Sequence, residues 1–323
     1  MLAHHEHPIR PKLQNNHAEV TCHAPTKHYN SAPLSLQPHK KTRLIMRHTI
    51  TILLIVLIAF SGQCWKLIRP NGDEPAKLSP KTFLDKCTME VIYYQEAIDP
   101  ELDEIKSHYN ILQIGPSISK YSNYGTFRLD STINKMNGKI ITHNEYDLLY
   151  QKLDANYTGV TIKHKSSEVI DIYENVFIDH FHYIEQHLDF NWQLEDSTKT
   201  ICGQLCHKAT GAFRGRTWTA WYCDIASSNG PWKFGGLPGL ILEAIDSKQE
   251  HRFSAVAIRN GSEDITSSTR NYYETKREKV RSAMKHYVEN YDKMYESLLM
   301  NADGSPSKLS KTSRLFYNPI ELE

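Results

Sequence analysis

The chain has 323 residues, 40% of them hydrophobic and 23% charged, an ordinary composition for a globular protein of one or two domains. Its 38 basic and 37 acidic side chains leave a net charge of +1, which excludes the broad basic field of a nucleic-acid-binding protein. The balance is uneven, because the first 45 residues carry six Lys or Arg against two Glu, a local +4 that leaves −3 for the rest.

Residues 1–45 are rich in His, Pro, Asn and Lys, show no apolar period, and are expected to form a disordered leader. Their seven histidines could also read as a metal-binding tract. The segment that follows, MRHTITILLIVLIAFSGQC over 46–64, has a basic start and an apolar run of 11 residues from Ile50 to Phe60. A membrane span needs about 20 such residues, whereas the apolar region of a signal peptide needs only about 7–15. The segment is therefore expected to direct export, with cleavage near Ser61 or Gly62 and with Met46 as the native start. Cys64 is a candidate for lipid acylation, although Gln63 before it suits that motif poorly.

Residues 65–80 are polar and proline-bearing, a tether, and 81–323 is expected to be a single domain. Cys87, Met89, Val91 and Tyr93 alternate with polar or less buried positions, as a strand does. Ile111–Ile114 reads as another, stopped by Gly115-Pro116. Residues 125–157 are ambiguous, reading either as a helix around Asn144–Leu153 or as an irregular excursion. Val169, Tyr173 and Phe177 restart the strand signal, and the sequence after Phe190 suggests a hairpin turning at Asp196-Ser197. Trp218, Ala220 and Tyr222 mark one face of a further strand, and 240–260 reads as a hairpin across Asp246–Gln249. Tyr273, Val280, Met284, Tyr287, Tyr291 and Met294 form a helical stripe near the end. The expected class is α+β, a predominantly antiparallel sheet, open and curved like a half-barrel, with a C-terminal helix.

The stretch GPWKFGGLPGLILEA, Gly230 to Ala244, carries neither the Lys-Ser/Thr ending of a phosphate loop nor the G-x-G-x-x-G spacing of a dinucleotide site. No cofactor is implied. It reads instead as structural: Gly230, Pro231, Gly236, Leu237, Pro238, Gly239, Leu240 and Ile241 form a turn that launches a buried strand. Pro238-Gly239 fits the centre of a type II turn, with Gly239 at positive φ.

This stretch resembles the signature of the GLPGLI family of exported bacterial proteins. Upstream, Cys206, Lys208, Ala209, Phe213, Gly215, Arg216, Ala220, Trp221, Tyr222 and Ile225 are similar to a second family segment, and YNPIELE to the family's usual end. The resemblance implies export to the periplasm or outer membrane of a Gram-negative bacterium and supplies no reaction.

Three constellations carry chemistry. Asp179, His180 and His182, with His187 close by, could hold a metal, since the two histidines share a strand face; the bland reading is a polar strand edge. Arg214 and Arg216, two apart on one strand, could clasp an anion. Trp218, Trp221, Trp232 and Phe234, with Arg216, form the densest aromatic patch, mostly core but able to floor an apolar pocket or partner surface. Cys202, Cys206 and Cys223 leave pairing open between disulfides and buried thiols, and Cys87 adds a fourth candidate in the exported part. The expected function is non-catalytic binding of an apolar ligand or an outer-membrane protein through the aromatic patch. The alternatives are a metal-assisted hydrolase built on the histidines and a purely structural envelope protein. Contact with a membrane would come through the signal peptide or an acylated Cys64.

Overall fold

The computed structural model describes residues 20–21, 72–136, 138–156, 159–186, 188–225, 227, 230–296 and 315–323. The segment 46–64 with Cys64, most of the leader and His187 lie outside the described residues. The described chain groups into two units, one of 20–21, 78–138 and 150–323, the other of 72–77 and 139–149. The smaller unit pairs Pro75 with Thr142 and opens a helix there, α2 (His143–Lys152). Its start is a reciprocal cap: the Glu145 N–H donates to the Thr142 hydroxyl at 3.2 Å, and the Thr142 N–H donates to the Glu145 carboxylate at 2.9 Å.

The larger unit is built on one long meander. Its strands are β3 (Met89–Asp99), β4 (Glu104–Ile114), β5 (Ile118–Asn123), β6 (Val160–His164), β7 (Val169–Val176) and β8 (Asp179–Gln186). After β8 come β9 (Gln193–Ile201), β10 (Gln204–Phe213), β11 (Arg216–Cys223), β12 (Leu240–Asp246) and β13 (His251–Asn260). Each pairs antiparallel with the next within its run, and β13 returns to pair with β3, so two wings share a central seam. A short β15 (Tyr273–Glu274) adds parallel to β8, and β1 (Val20–Thr21) to β13. A separate ribbon joins β2 (Lys81–Asp85) to β14 (Ile265–Ser268). The terminal strands β15 and β9 do not pair, so the sheet stays open. The expected antiparallel, open sheet with helices near its end is what forms.

Alternation assigns the two faces. Val91, Tyr93, Leu112, Tyr121, Ile172 and Tyr183 share an inner face, since register pairs them in turn or through their neighbours. The same side of the other wing carries Trp218, Ala220, Ala244 and Phe253. Val91, Tyr93, Leu112, Trp218, Phe234 and Phe253 belong to one buried cluster, so the sheet bends until its wings share a core. The Tyr93 hydroxyl donates to the Ile241 carbonyl at 2.6 Å, across that bend. The helices are α1 (Tyr124–Asn134), capped by the Asn123 side chain, and the pair α3 (Arg277–Glu289) and α4 (Tyr291–Glu296). The α3 stripe of Val280, Met284 and Tyr287 packs on Ile172 and Tyr183, as the helical spacing predicts, whereas Tyr273 lies outside the helix, exposed in β15.

Three local readings change. Asp196 and Ser197 lie inside β9; the hairpin turns about six residues later, at Cys202-Gly203, where φ is +49° and +72°. Gly203 supplies the left-handed conformation at the reversal, whereas Asp196 and Ser197 continue the strand. Gly239, in turn, is absent from the positive-φ residues, whereas Gly236 has φ +80°. Gly239 is required for space: a Cβ there would lie 1.9 Å from the Cys223 carbonyl oxygen. Arg214 and Arg216 also part company, because Arg214 (φ +44°) and Gly215 (φ +79°) form the β10–β11 turn and only Arg216 is in a strand.

Both glycines should resist replacement by alanine, to different degrees. Gly236→Ala should cost about 1–2 kcal/mol of stability for its left-handed backbone. Gly239→Ala should cost more, because its methyl meets backbone that cannot swing aside. Urea unfolding checks the order, and equal midpoints for Gly239→Ala and the parent would refute the close approach.

Candidate functional site

The loop from Gly230 to Gly239 enters the concave side of the sheet and occupies much of it. A turn at Pro231–Phe234, closed by the Phe234 N–H donating to the Pro231 carbonyl at 3.0 Å, places Trp232 at φ +49°. Phe234 then stands edge-on to Trp218, Trp232 and Phe253 at ring-centroid distances of 4.8–5.4 Å. Lys163, reaching up from β6, donates to the Gly230 carbonyl at 3.1 Å and to the Phe234 carbonyl. Burial pushes its ammonium down to about 7, with no carboxylate among the described residues paired to it.

This placement corrects the expectation of an aromatic ligand surface. Trp218 and Phe234 are fully buried, and Trp221 lies half-buried under the Lys199 ammonium, 4.3 Å from its ring centroid. Arg216 is buried too, donating to Asp246 (2.8 Å), Glu250 (2.9 Å) and the Pro319 carbonyl. The rings are core, and the guanidinium is spent on internal carboxylates. Trp232 borders a cleft of about 310 Å³, beside Gln95, Asn110, Arg281 and Met284.

Lys233 anchors the loop. Its side chain is 1% exposed and pairs with Glu185 of β8 at 2.5 Å and Glu321 at 2.6 Å. Arg214 joins the same two carboxylates, and Arg277 of α3 reaches Glu321. Burial alone would raise the Glu321 carboxyl, but Lys233, with Arg214 and Arg277, holds it down to about 2. Nearby, burial and the Arg216 charge push the His251 imidazole down to about 4.

The outer face carries the larger cavity, about 500 Å³. Its floor is β4 and β5, with Gln113, Lys120 and Ser122; α1 forms one wall, and residues 261–272 the other. Lys81 and Asp130 close part of the rim at 2.8 Å. Gln113 is 2% exposed, and among the described residues its amide nitrogen meets only the Cys87 thiol, with no oxygen or nitrogen acceptor. Lys120 donates to the Thr266 carbonyl at 2.6 Å and, among the described residues, has no carboxylate within 4.0 Å. Burial lowers its ammonium to about 8, Asp130 opposing and Lys81 adding to the fall. Lone polar residues inside ILQI and ISKYS are the signal that sequence reasoning passed over.

The histidines are drawn into a strand network rather than a convergent site. His180 and His182 share the outer face, while Asp179 opposes Val176 on the inner one. His182 lies between Asp171 (2.7 Å) and Glu274 (2.6 Å), and Asp171 also meets His164 at 2.7 Å. His180 bonds Asn175 at 2.7 Å. Among the described residues no group of three His, Cys, Asp or Glu is disposed to hold a metal ion. His207 and Asp224 stand 3.9 Å apart and assemble nothing around Cys206.

Residues 214–243, the turn before β11 through the loop into β12, match the family described as protein of unknown function, Porph_ging. No curated protein matches the chain. Solved structures that match include two crystal forms of PNGF-II, at 13% and 12% identity and TM-scores of 0.45 and 0.42. Each comparison covers 62% of this chain and 34% or 33% of the other, so the chain spans about a third of PNGF-II. No helix among the described residues is long and apolar enough to cross a membrane.

Acid should unfold the protein in two stages. His251, neutral when folded, contributes stability that is full above about 6.5 and lost as pH falls toward about 4. Glu321 contributes stability that is full above about 4.5 and lost as pH falls toward about 2, on the order of 3 kcal/mol in all. Glu321→Gln should be destabilised at neutral pH and lose less on going from pH 4.5 to 2. Parallel curves for variant and parent would refute the assignment.

Proposed function

We propose that the chain is an exported cell-envelope protein of the GLPGLI type that binds a small polar ligand, without catalysis, in the outer-face cleft. The observation that supports this reading is the pairing, at one cavity, of an unsatisfied buried amide and a desolvated ammonium. An unpaired buried donor costs about 1–3 kcal/mol, and a ligand acceptor at Gln113 relieves that cost. An anionic group beside Lys120 compensates a charge that, among the described residues, has no contacting carboxylate. Ser122, Ser131 and Ser262 add hydroxyls to the lining, so the ligand is polar rather than apolar. The concave side, where an apolar ligand was expected, is occupied by Trp218, Phe234 and Leu237. Export rests on the 46–64 segment and the family resemblance.

Native mass spectrometry of protein purified from its producing cells, before and after extraction, tests the reading. A discrete extra mass on the parent protein, absent from Lys120→Met and Gln113→Leu, is the expected result. A clean unliganded mass, or an adduct that both variants keep, would overturn it.

A further inference from the structure

Four cysteines are described, all as thiols, and the sheet register distinguishes them. Cys206 of β10 and Cys223 of β11 are direct cross-strand partners, 0% and 1% exposed. Opposed residues of an antiparallel pair hold their Cα atoms about 4.5–5.5 Å apart. A disulfide spans about 4.4–6.8 Å between Cα atoms, so neither strand has to move. The Cys206 thiol donates to the Gln204 carbonyl of its own strand at 3.5 Å. Cys202 sits at the β9–β10 turn and opposes neither; its thiol donates to the Ala255 carbonyl at 3.4 Å. Cys87 precedes β3, its thiol directed to the Met89 carbonyl at 3.2 Å.

We propose that Cys206 and Cys223 are a redox pair that closes into a cross-strand disulfide, with a small or protein disulfide as the oxidant. Either sulfur can lead, because both thiols lie in water while the strands are open. With Cys223 first, its thiolate attacks one sulfur of the oxidant, breaking the oxidant's S–S bond and releasing one half as a thiolate that takes up a proton. Cys206 then gives up its proton and attacks the Cys223 sulfur, expelling the second half, which is protonated in turn. Two protein thiols are oxidised, and one disulfide is reduced to two thiols. Because both cysteines are buried in the finished fold, the exchange takes place while β10 and β11 are still open to solvent. The bond formed would lock the strand whose Cys223 carbonyl receives Gly239, and so the seat of the 230–239 loop. This inference is independent of the ligand reading and of export.

Refolding of the full, reduced chain in a glutathione and glutathione-disulfide buffer, followed by alkylation and peptide mapping, tests it. The expected product joins the peptides of Cys206 and Cys223, and Cys202→Ser forms the same link. Reducing that link should lower the folding equilibrium constant on the order of 100-fold, from the loop it closes. Cys206→Ser should refold without any link at Cys223, and should that variant fail to fold, the parent and Cys202→Ser maps decide. A link through Cys202, a stable glutathione adduct at Cys223, or alkylation of both thiols after refolding would overturn the proposal.

Discussion

An ammonium group removed from water must find anions, and Lys233 finds two, Glu185 and Glu321, from opposite parts of the chain. Desolvating three charges costs several kcal/mol for each ion, so the arrangement is tolerable only when every partner is in place. That requirement fixes the position of β8, of the Arg214 turn and of the segment 315–323 together. It also explains the backbone around it. Trp232 takes a left-handed conformation, costly for a bulky residue, because the turn must deliver Lys233 inward while Trp232 and Phe234 pack on either side. Removing Lys233 alone would strand two buried carboxylates, a heavier loss than any single contact in the cluster suggests.

The same loop decides what the concave side can do. An open, curved antiparallel sheet offers a hollow, and carriers with such sheets leave it for a ligand. Here the hollow holds the protein's own loop, sealed by aromatic edge-to-face contacts and by Lys163 bonded to two loop carbonyls. Most of the inner face is therefore core, and the outer face carries the larger of the two cavities. There the β2–β14 ribbon, α1 and residues 261–272 stand over the sheet without filling the space beneath them.

Alternation made the strands around Val91, Leu112, Trp218 and Phe253 legible, because a face committed to a core imposes a period of two. The α3 stripe was legible for the same reason at its own period. The turns were less so. Asp196-Ser197 has turn-forming residues, yet β9 runs through it because the neighbouring register leaves Cys202-Gly203 as the point of reversal. Gly239 was rightly singled out and wrongly explained, since a glycine in sequence cannot reveal whether it serves φ or space. The charge network was illegible: Lys233, Glu185 and Glu321 come from three distant segments, and nothing local marks a lysine between Trp and Phe as an ion-pair centre. The site followed the same logic, because Gln113 and Lys120 become neighbours only through β4–β5 register.

The central seam has a consequence for how the chain folds. β3 and β4 form a local hairpin, but the other edge of β3 waits for β13, and Tyr93 waits for Ile241, 148 residues further on. Pairing over such a separation is slow, because loop closure must precede any gain from contact. Meanwhile β3 presents an apolar edge, Val91 to Tyr94, of the kind that recruits other chains. Glu90 and Glu96 flank that run on the outer face and later pair with Arg259 and Arg252 of β13. Before β13 arrives they are bare negative charges on an open edge, so the residues that fasten the finished seam also guard it against aggregation while it is unmade.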